Sequence, residues 1–266
     1  MALRVVLVVI AALVSLCALG TLAALAVELG NNRIVTETRA LPAAMRSLTI
    51  DTGDVPVALS LTTDVHATEP RVDLRILTRT DNTQLAVAND DTGSRVTLGD
   101  SGSGLLGFNR TGEIKAILPP GVARGLRVMV NQRAGSLSTD ADLDQLVVKT
   151  DNGAVTLGGS ARRVDVSVRH GDISTSTRLA VTESFRAETE SGGISVEFRA
   201  APRTTEAIAD GDVTVGVPGP GPYQVRAQSD GPHGQTTVTV PETTDPSAPG
   251  VTAHSKSANV MITELR

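Results

Sequence analysis

From residue 45 onward the chain alternates apolar and polar positions in short runs. Val164-Asp165-Val166-Ser167-Val168 and Ile194-Ser195-Val196-Glu197-Phe198 each place every second side chain on one face. That period of two is the mark of a strand with one buried and one wet side. Between the runs one unit recurs: a polar residue or two, then glycine, any residue, and an aliphatic that opens the next run. Its copies are Asp51-Thr52-Gly53-Asp54-Val55, Arg133-Ala134-Gly135-Ser136-Leu137, Asp151-Asn152-Gly153-Ala154-Val155, Arg169-His170-Gly171-Asp172-Ile173, Glu190-Ser191-Gly192-Gly193-Ile194 and Ala209-Asp210-Gly211-Asp212-Val213. From Gly135 onward the glycines follow at steps of 18, 18, 21 and 19 residues, and weaker copies stand at Gly234 to Val238 and Ala258 to Val260.

The last inward residue before each turn and the first after it are separated by an odd number: 50 to 55, 130 to 137, 148 to 155, 168 to 173, 187 to 194 and 208 to 213. A straight strand would give even offsets, so the chain reverses or bends there. Gly53, Gly135, Gly153, Gly171, Gly192 and Gly211 are the predicted turn residues, because glycine enters the left-handed region without a Cβ penalty. The near-constant period predicts an all-β, β-solenoid-like stack of ~20-residue repeats, with a β-sandwich or meander as the alternative. Residues 34–130 are less regular, with alternating runs at Arg71 to Leu77, Gln84 to Ala88, Arg95 to Leu98 and Glu113 to Leu118. Pro218 to Pro222 and Pro241 to Pro249 lack strand donors and should fall outside the ladder, while a strand near Asn259 to Leu265 should close the end of the stack.

The other long pattern is at the start. Val5 to Val27 is a 23-residue run without a charge, bounded by Arg4 and Glu28. As a helix it would span ~34 Å, enough for the ~30 Å hydrocarbon layer. Arg4 and the amino terminus on the short side place that side in the cytoplasm. The division expected is a cytoplasmic tail over 1–4, a transmembrane signal-anchor helix over 5–27, a linker and leading strand over 28–44, and an extracytoplasmic β-repeat domain over 45–266. The localisation expected is single-pass in a bacterial plasma membrane with the C-terminal domain outside. Ala24-Leu25-Ala26 has the small-x-small form of a signal-peptidase site, so secretion after cleavage following Ala26 is the alternative. Cys17, the sole cysteine, lies within the apolar run and leaves the rest of the chain without a disulfide or a thiol nucleophile.

Composition narrows the function. Three Phe, one Tyr and no Trp mean an aliphatic core and few platforms for stacking on a ligand. A balance of 24 basic against 29 acidic residues, net −5, offers no field for nucleic acid.

Several short motifs carry chemistry elsewhere and are read here as turns. Gly102-Ser103-Gly104-Leu105-Leu106-Gly107 spells a dinucleotide fingerprint, but it sits between strands, and Arg127 stands where an acidic residue is needed. Asp51-Thr52-Gly53, Asp91-Thr92-Gly93 and Asp100-Ser101-Gly102 resemble the aspartic-protease triplet, yet that chemistry needs two matched lobes or subunits. His66, His170, His233 and His254 show no metal-ligand spacing, and Asn109-Arg110-Thr111 is a chance glycosylation match. No catalytic, cofactor or metal site is expected.

Leu48-Thr49-Ile50-Asp51-Thr52-Gly53-Asp54-Val55-Pro56-Val57, the lead-in Ile117-Leu118-Pro119-Pro120-Gly121 and the serial Gly-x-Val/Ile units resemble a family of bacterial β-strand-repeat proteins of unknown function, described as candidate adhesins. The resemblance covers nearly all of residues 45–265. It implies a β-solenoid-like fold and a binding or scaffolding role, and supplies no catalytic residues. The function expected is therefore a membrane-anchored, adhesin-like or scaffolding protein without enzymatic activity, its partner an envelope protein or a cell-wall glycan. The alternatives are a carbohydrate-active enzyme on a β-helix and an accessory or sensor subunit of a membrane complex.

Overall fold

The structure, a computed structural model, describes residues 33–78, 83–90, 92–100 and 112–265. The alternating runs form strands, and the strands make two sheets. Sheet A runs, neighbour to neighbour, through β1 (Arg33–Ala40), β4 (Arg71–Thr78), β7 (Gly112–Leu118), β3 (Val57–Thr63), the middle of β8 (Arg127–Asn152), β9 (Val155–Leu157), β11 (Ile173–Thr175), β13 (Ile194–Ala200), β15 (Val213–Pro218), β19 (Val260–Leu265) and β17 (Thr236–Val238). Sheet B runs through β5 (Thr83–Asn89), β6 (Gly93–Asp100), β2 (Ser47–Asp51), the two ends of β8, β10 (Gly159–His170), β12 (Leu179–Ser191), β14 (Thr204–Ala209), β18 (Gly250–Ser255) and β16 (Gln224–Ser229). Pairs β1–β4, β4–β7 and β5–β6 are antiparallel, and the other pairings are parallel. Among the described residues a short helix, α1 (Pro120–Ala123), starts on the Pro119-Pro120 pair, where a missing N–H costs nothing.

At each glycine unit the chain crosses from sheet B to sheet A. Strand β8 shows this within one continuous element: Asn131 pairs with Asp51 in sheet B, Leu137 with Leu59 in sheet A, and Val148 with Val166 in sheet B again. The odd parity thus marks a corner that turns the same set of side chains inward on both sheets. The inward rows are aliphatic. Val148, Val166, Ala187, Ala207 and Ala253 align across sheet B, and Leu137, Val155, Ile173, Ile194, Val213 and Val260 across sheet A, all buried. Phe185 and Phe198 meet edge-to-face in the same core, with ring centroids 5.0 Å apart and planes at 80°, the geometry that the ring quadrupoles favour.

Two expectations are corrected here. The open β-solenoid is replaced by a closed arrangement: β8 pairs β10, β10 pairs β12, β12 pairs β13, β13 pairs β11, β11 pairs β9, and β9 returns to β8. These six parallel strands form a barrel, closed where Leu179 pairs Phe198 and Ala180 pairs Ala200, and the remaining strands lie outside it. Nor do the outer strands stack in chain order. β18 and β19 lie between β14–β15 and β16–β17, so β19 does not close the end as expected. The sandwich or meander alternative is set aside as well, because most pairs are parallel. The second correction concerns the membrane. Among the described residues no helix is long and apolar enough to cross one, and the anchor expected over 5–27, like the cleavage point after Ala26, lies outside the described residues. The single-pass helix and the localisation built on it are not carried further.

Of the two proline-rich stretches, Pro218 belongs to β15, opposite Leu265. The second forms no strand and makes an isolated bridge, Tyr223 with Glu242, beside hydrogen bonds from Tyr223 and Gln224.

Candidate functional site

The six predicted turn residues lie at corners between the sheets. Gly135, Gly153, Gly171 and Gly192 have φ of 126°, 145°, 146° and 142°, and Gly53 has φ of 54°, while Gly211 is absent from this positive-φ set. A Cβ on Gly153 would meet the Gly135 carbonyl oxygen at 1.6 Å, one on Gly171 that of Gly153 at 2.0 Å, and one on Gly192 that of Gly171 at 2.1 Å. For Gly211 the corresponding approach to the Gly192 oxygen is 2.7 Å, so close packing is what calls for glycine there. The corners form a backbone-on-backbone column, and their positions fix the register of the strands on both sides.

That register sorts the outward side chains into rows. On sheet A one row runs Ser60, Ser138, Thr156, Ser174, Ser195, Thr214 and Met261, each the direct partner of the next. Six consecutive hydroxyls thus stand on parallel strands ~4.8 Å apart. None of these six is buried, and Met261 beside them is 43 % exposed. Next to this row stand Ser136, Asp172 and Asp212. Two of the latter are used internally, since Asp172 Oδ1 accepts from the Gly193 N–H at 2.8 Å and Asp212 Oδ1 from the Asn259 N–H at 2.9 Å. The sequence carried five members of this row in the residue after each Gly-x-aliphatic unit from Gly135 to Gly211, while Ser60 stands further from its unit at Gly53, and the continuity of the row depends on pairing partners far apart in the chain.

The outward face of sheet B is built differently. Asp165, Arg186 and Glu206 align across β10, β12 and β14, and Arg186 contacts Glu206 at 3.2 Å and Glu188 at 3.3 Å. Arg169 reaches Asp151 at 3.3 Å and Glu190 at 3.9 Å. At the edge of the barrel Arg162 grips Asp144 through Nε at 2.7 Å and Nη2 at 3.0 Å, and holds both oxygens of Glu183 through Nη1 at 3.0 Å. Its guanidinium holds the carboxyls of Asp144 and Glu183 below the usual carboxylate range, and the two carboxylates in turn push the arginine upward. Charges of alternating sign on this face satisfy one another and are wetted by solvent.

A cleft of about 490 Å³ opens at the corner where the β2–β3 connection meets β8. Asp51, Asp54, Gln132, Arg133, Lys149 and Asp151 line it. Its carboxylates already have structural partners: Asp51 Oδ1 accepts from the Gly53 N–H at 3.0 Å, Asp54 binds Arg133, and Asp151 faces Arg169. Gln132, 5 % exposed, donates from Nε2 to the Val57 carbonyl at 2.6 Å and the Ala134 carbonyl at 3.0 Å, which pins the corner.

The remaining sequence motifs do not converge. Asp51-Thr52-Gly53 is a corner closed by its own aspartate. His66, His170 and His233 are exposed at separate places, and His254 Nε2 contacts Asp230 Oδ2 at 2.8 Å. Among the described residues no three His, Asp or Glu side chains gather as metal ligands would. Gly102 to Gly107 and Asn109-Arg110-Thr111 lie outside the described residues.

No family model matches this sequence, and no curated protein matches it either. Solved structures with a similar course of chain include a candidate cell adhesion protein from Clostridium sporogenes, 10 % identical, covering 88 % of this chain and 100 % of that one at a TM-score of 0.41. A candidate adhesin from Parabacteroides distasonis is 11 % identical, with coverage of 88 % and 97 % and a TM-score of 0.47. A candidate lipid-binding protein from the same organism is 12 % identical, with coverage of 87 % and 97 % and a TM-score of 0.36. The first two descriptions name the same bacterial class that the sequence motifs resemble.

Proposed function

We propose that this chain is a non-catalytic binding module, adhesin-like in that many weak contacts are repeated along one face, and that the outward face of sheet A holds an extended neutral glycan of a cell envelope. The observation that carries this reading is the hydroxyl row from Ser60 to Thr214. Hydroxyls donate and accept, as sugar hydroxyls do, and the strand spacing is of the same order as one pyranose unit in an extended chain. A flat face with no stacking platform gives little affinity per contact. Repetition along the row supplies the rest, because each contact made raises the effective concentration for the next.

The charged face of sheet B is the poorer candidate, since Arg162, Arg169 and Arg186 are held in ion pairs that a ligand would have to break. A carbohydrate-active enzyme is less well supported still. The cleft holds carboxylates, but each is committed to a turn or an ion pair, whereas glycoside cleavage needs an acid and a base poised across the bond. Cosedimentation of the full chain with purified cell-wall sacculi tests the proposal. Retention that a soluble neutral oligosaccharide competes away is the expected result, and a chain left in the supernatant at every sacculus concentration would remove it.

A further inference from the structure

The order of strands at one end of the molecule has a consequence for assembly. β16 pairs with β18 and not with β14, and β17 pairs with β19 and not with β15. The β18–β19 pair is therefore held on both flanks. Val251 and Ala253 lie between Thr205 and Ala207 on one side and Val225 and Ala227 on the other. Val260 and Ile262 lie between Val213 and Val215 on one side and Thr236 and Val238 on the other. Ser255 Oγ adds a hydrogen bond to the Gly211 carbonyl at 2.8 Å. β16 and β17 precede β18 and β19 in the chain, so the segment that fills this place is the last part of the fold to be made.

We propose that this slot accepts residues 250–265 of a second copy of the chain, giving a reciprocally exchanged dimer. Every contact just described is reproduced when the segment comes from the second copy, because the flanking strands read only the segment and not the linker behind it. That linker, residues 239–249, carries Pro241, Pro246 and Pro249. Proline favours extended backbone, and the nine residues from Pro241 to Pro249 can span ~30 Å when drawn out. Within the folded monomer the linker is held by Thr239 N–H to the Ile262 carbonyl, Tyr223 N–H to the Pro241 carbonyl, Thr243 N–H to the Tyr223 carbonyl and Gln224 N–H to the Pro249 carbonyl, each at 2.9 Å, by the Gln224 side chain on the Asp245 carbonyl, and by the buried side chain of Val240. While the slot is empty, β14 and β15 present unpaired parallel edges, which recruit any strand of matching pattern. The inference stands apart from the glycan reading: it concerns how copies join, and it would hold whatever the hydroxyl face binds.

Thr214 and Met261 are direct partners on β15 and β19, both facing outward. In a Cys17→Ser background, full chains carrying Thr214→Cys alone and Met261→Cys alone are unfolded together, refolded over a range of concentrations and oxidised. Exchange predicts a covalent heterodimer whose share rises with concentration, while the chain carrying both substitutions closes an internal disulfide when refolded dilute. An internal disulfide in the double variant with no 214–261 heterodimer from the mixture at any concentration would overturn the proposal.

Discussion

A Cβ on Gly153 would lie 1.6 Å from the carbonyl oxygen of Gly135, the glycine of the preceding corner. No relaxation of a side chain removes that overlap, since both groups are backbone, and Gly153 also holds φ at 145°. Gly153→Ala is expected to cost ~3 kcal/mol or more, from close approach and backbone strain together. Gly121 provides the contrast. It lies in α1 with no atom within 4 Å of the added methyl, so Gly121→Ala should be neutral or gain up to ~1 kcal/mol. Denaturant midpoints of the two variants check this, and equal effects would contradict the column.

The contact between Phe185 and Phe198 is an aromatic pair in an interior that, Tyr223 apart, is aliphatic among the described residues. Because the rings lie where β12 and β13 close the barrel, truncating one leaves a cavity that the flanking parallel strands cannot collapse. Phe185→Ala should cost ~3–5 kcal/mol, and Phe185→Leu should cost distinctly less. A calorimetric scan with the two transitions in the opposite order would argue against barrel closure at this point.

Acid should act through the Arg162 network. Asp144 and Glu183 are held below the usual carboxylate range by the hydrogen bonds from Arg162. A carboxyl with a depressed folded value stabilises the fold above its unfolded value of ~4, and that stabilisation is lost as pH falls through the lower folded value. The native chain should therefore lose Tm on acidification from pH 6 to pH 3. Arg162→Gln should lower Tm at pH 6 and flatten the curve over the same window. Parallel curves for the two chains would show that these pairs contribute nothing to the acid response.

Alternation in runs such as Val164 to Val168 made the buried face of each strand legible, because side-chain direction is fixed by the backbone period alone. The odd offsets across Gly135 and Gly153 located the corners for the same local reason. Which strands become neighbours is a different kind of information. Ser138 meets Thr156 through a short circuit of chain, but Thr214 meets Met261 only because β18 and β19 lie between strands that all precede them in the chain. Nothing in the local pattern of residues 250–265 distinguishes a terminal pair from an inserted one. Ring closure through Leu179 and Phe198 was hidden likewise, since an alternating strand specifies its faces and leaves its edges unspecified. The hydroxyl row follows the same logic: each serine or threonine was visible on its own strand, and the row emerged only with the register.

The claim that sheet A is the contact face is tested most directly by placing one kind of charge on each face and measuring retention on cell-wall sacculi. Ser138→Lys with Ser174→Lys puts two bulky cations in the middle of the hydroxyl row, whereas Ser167→Lys puts one on the exposed face of sheet B. The account predicts that the sheet A pair raises the apparent Kd at least ~10-fold, the equivalent of about 1.4 kcal/mol, and that the sheet B variant binds as the native chain does. Undiminished retention by the sheet A pair, or a loss confined to Ser167→Lys, would contradict it.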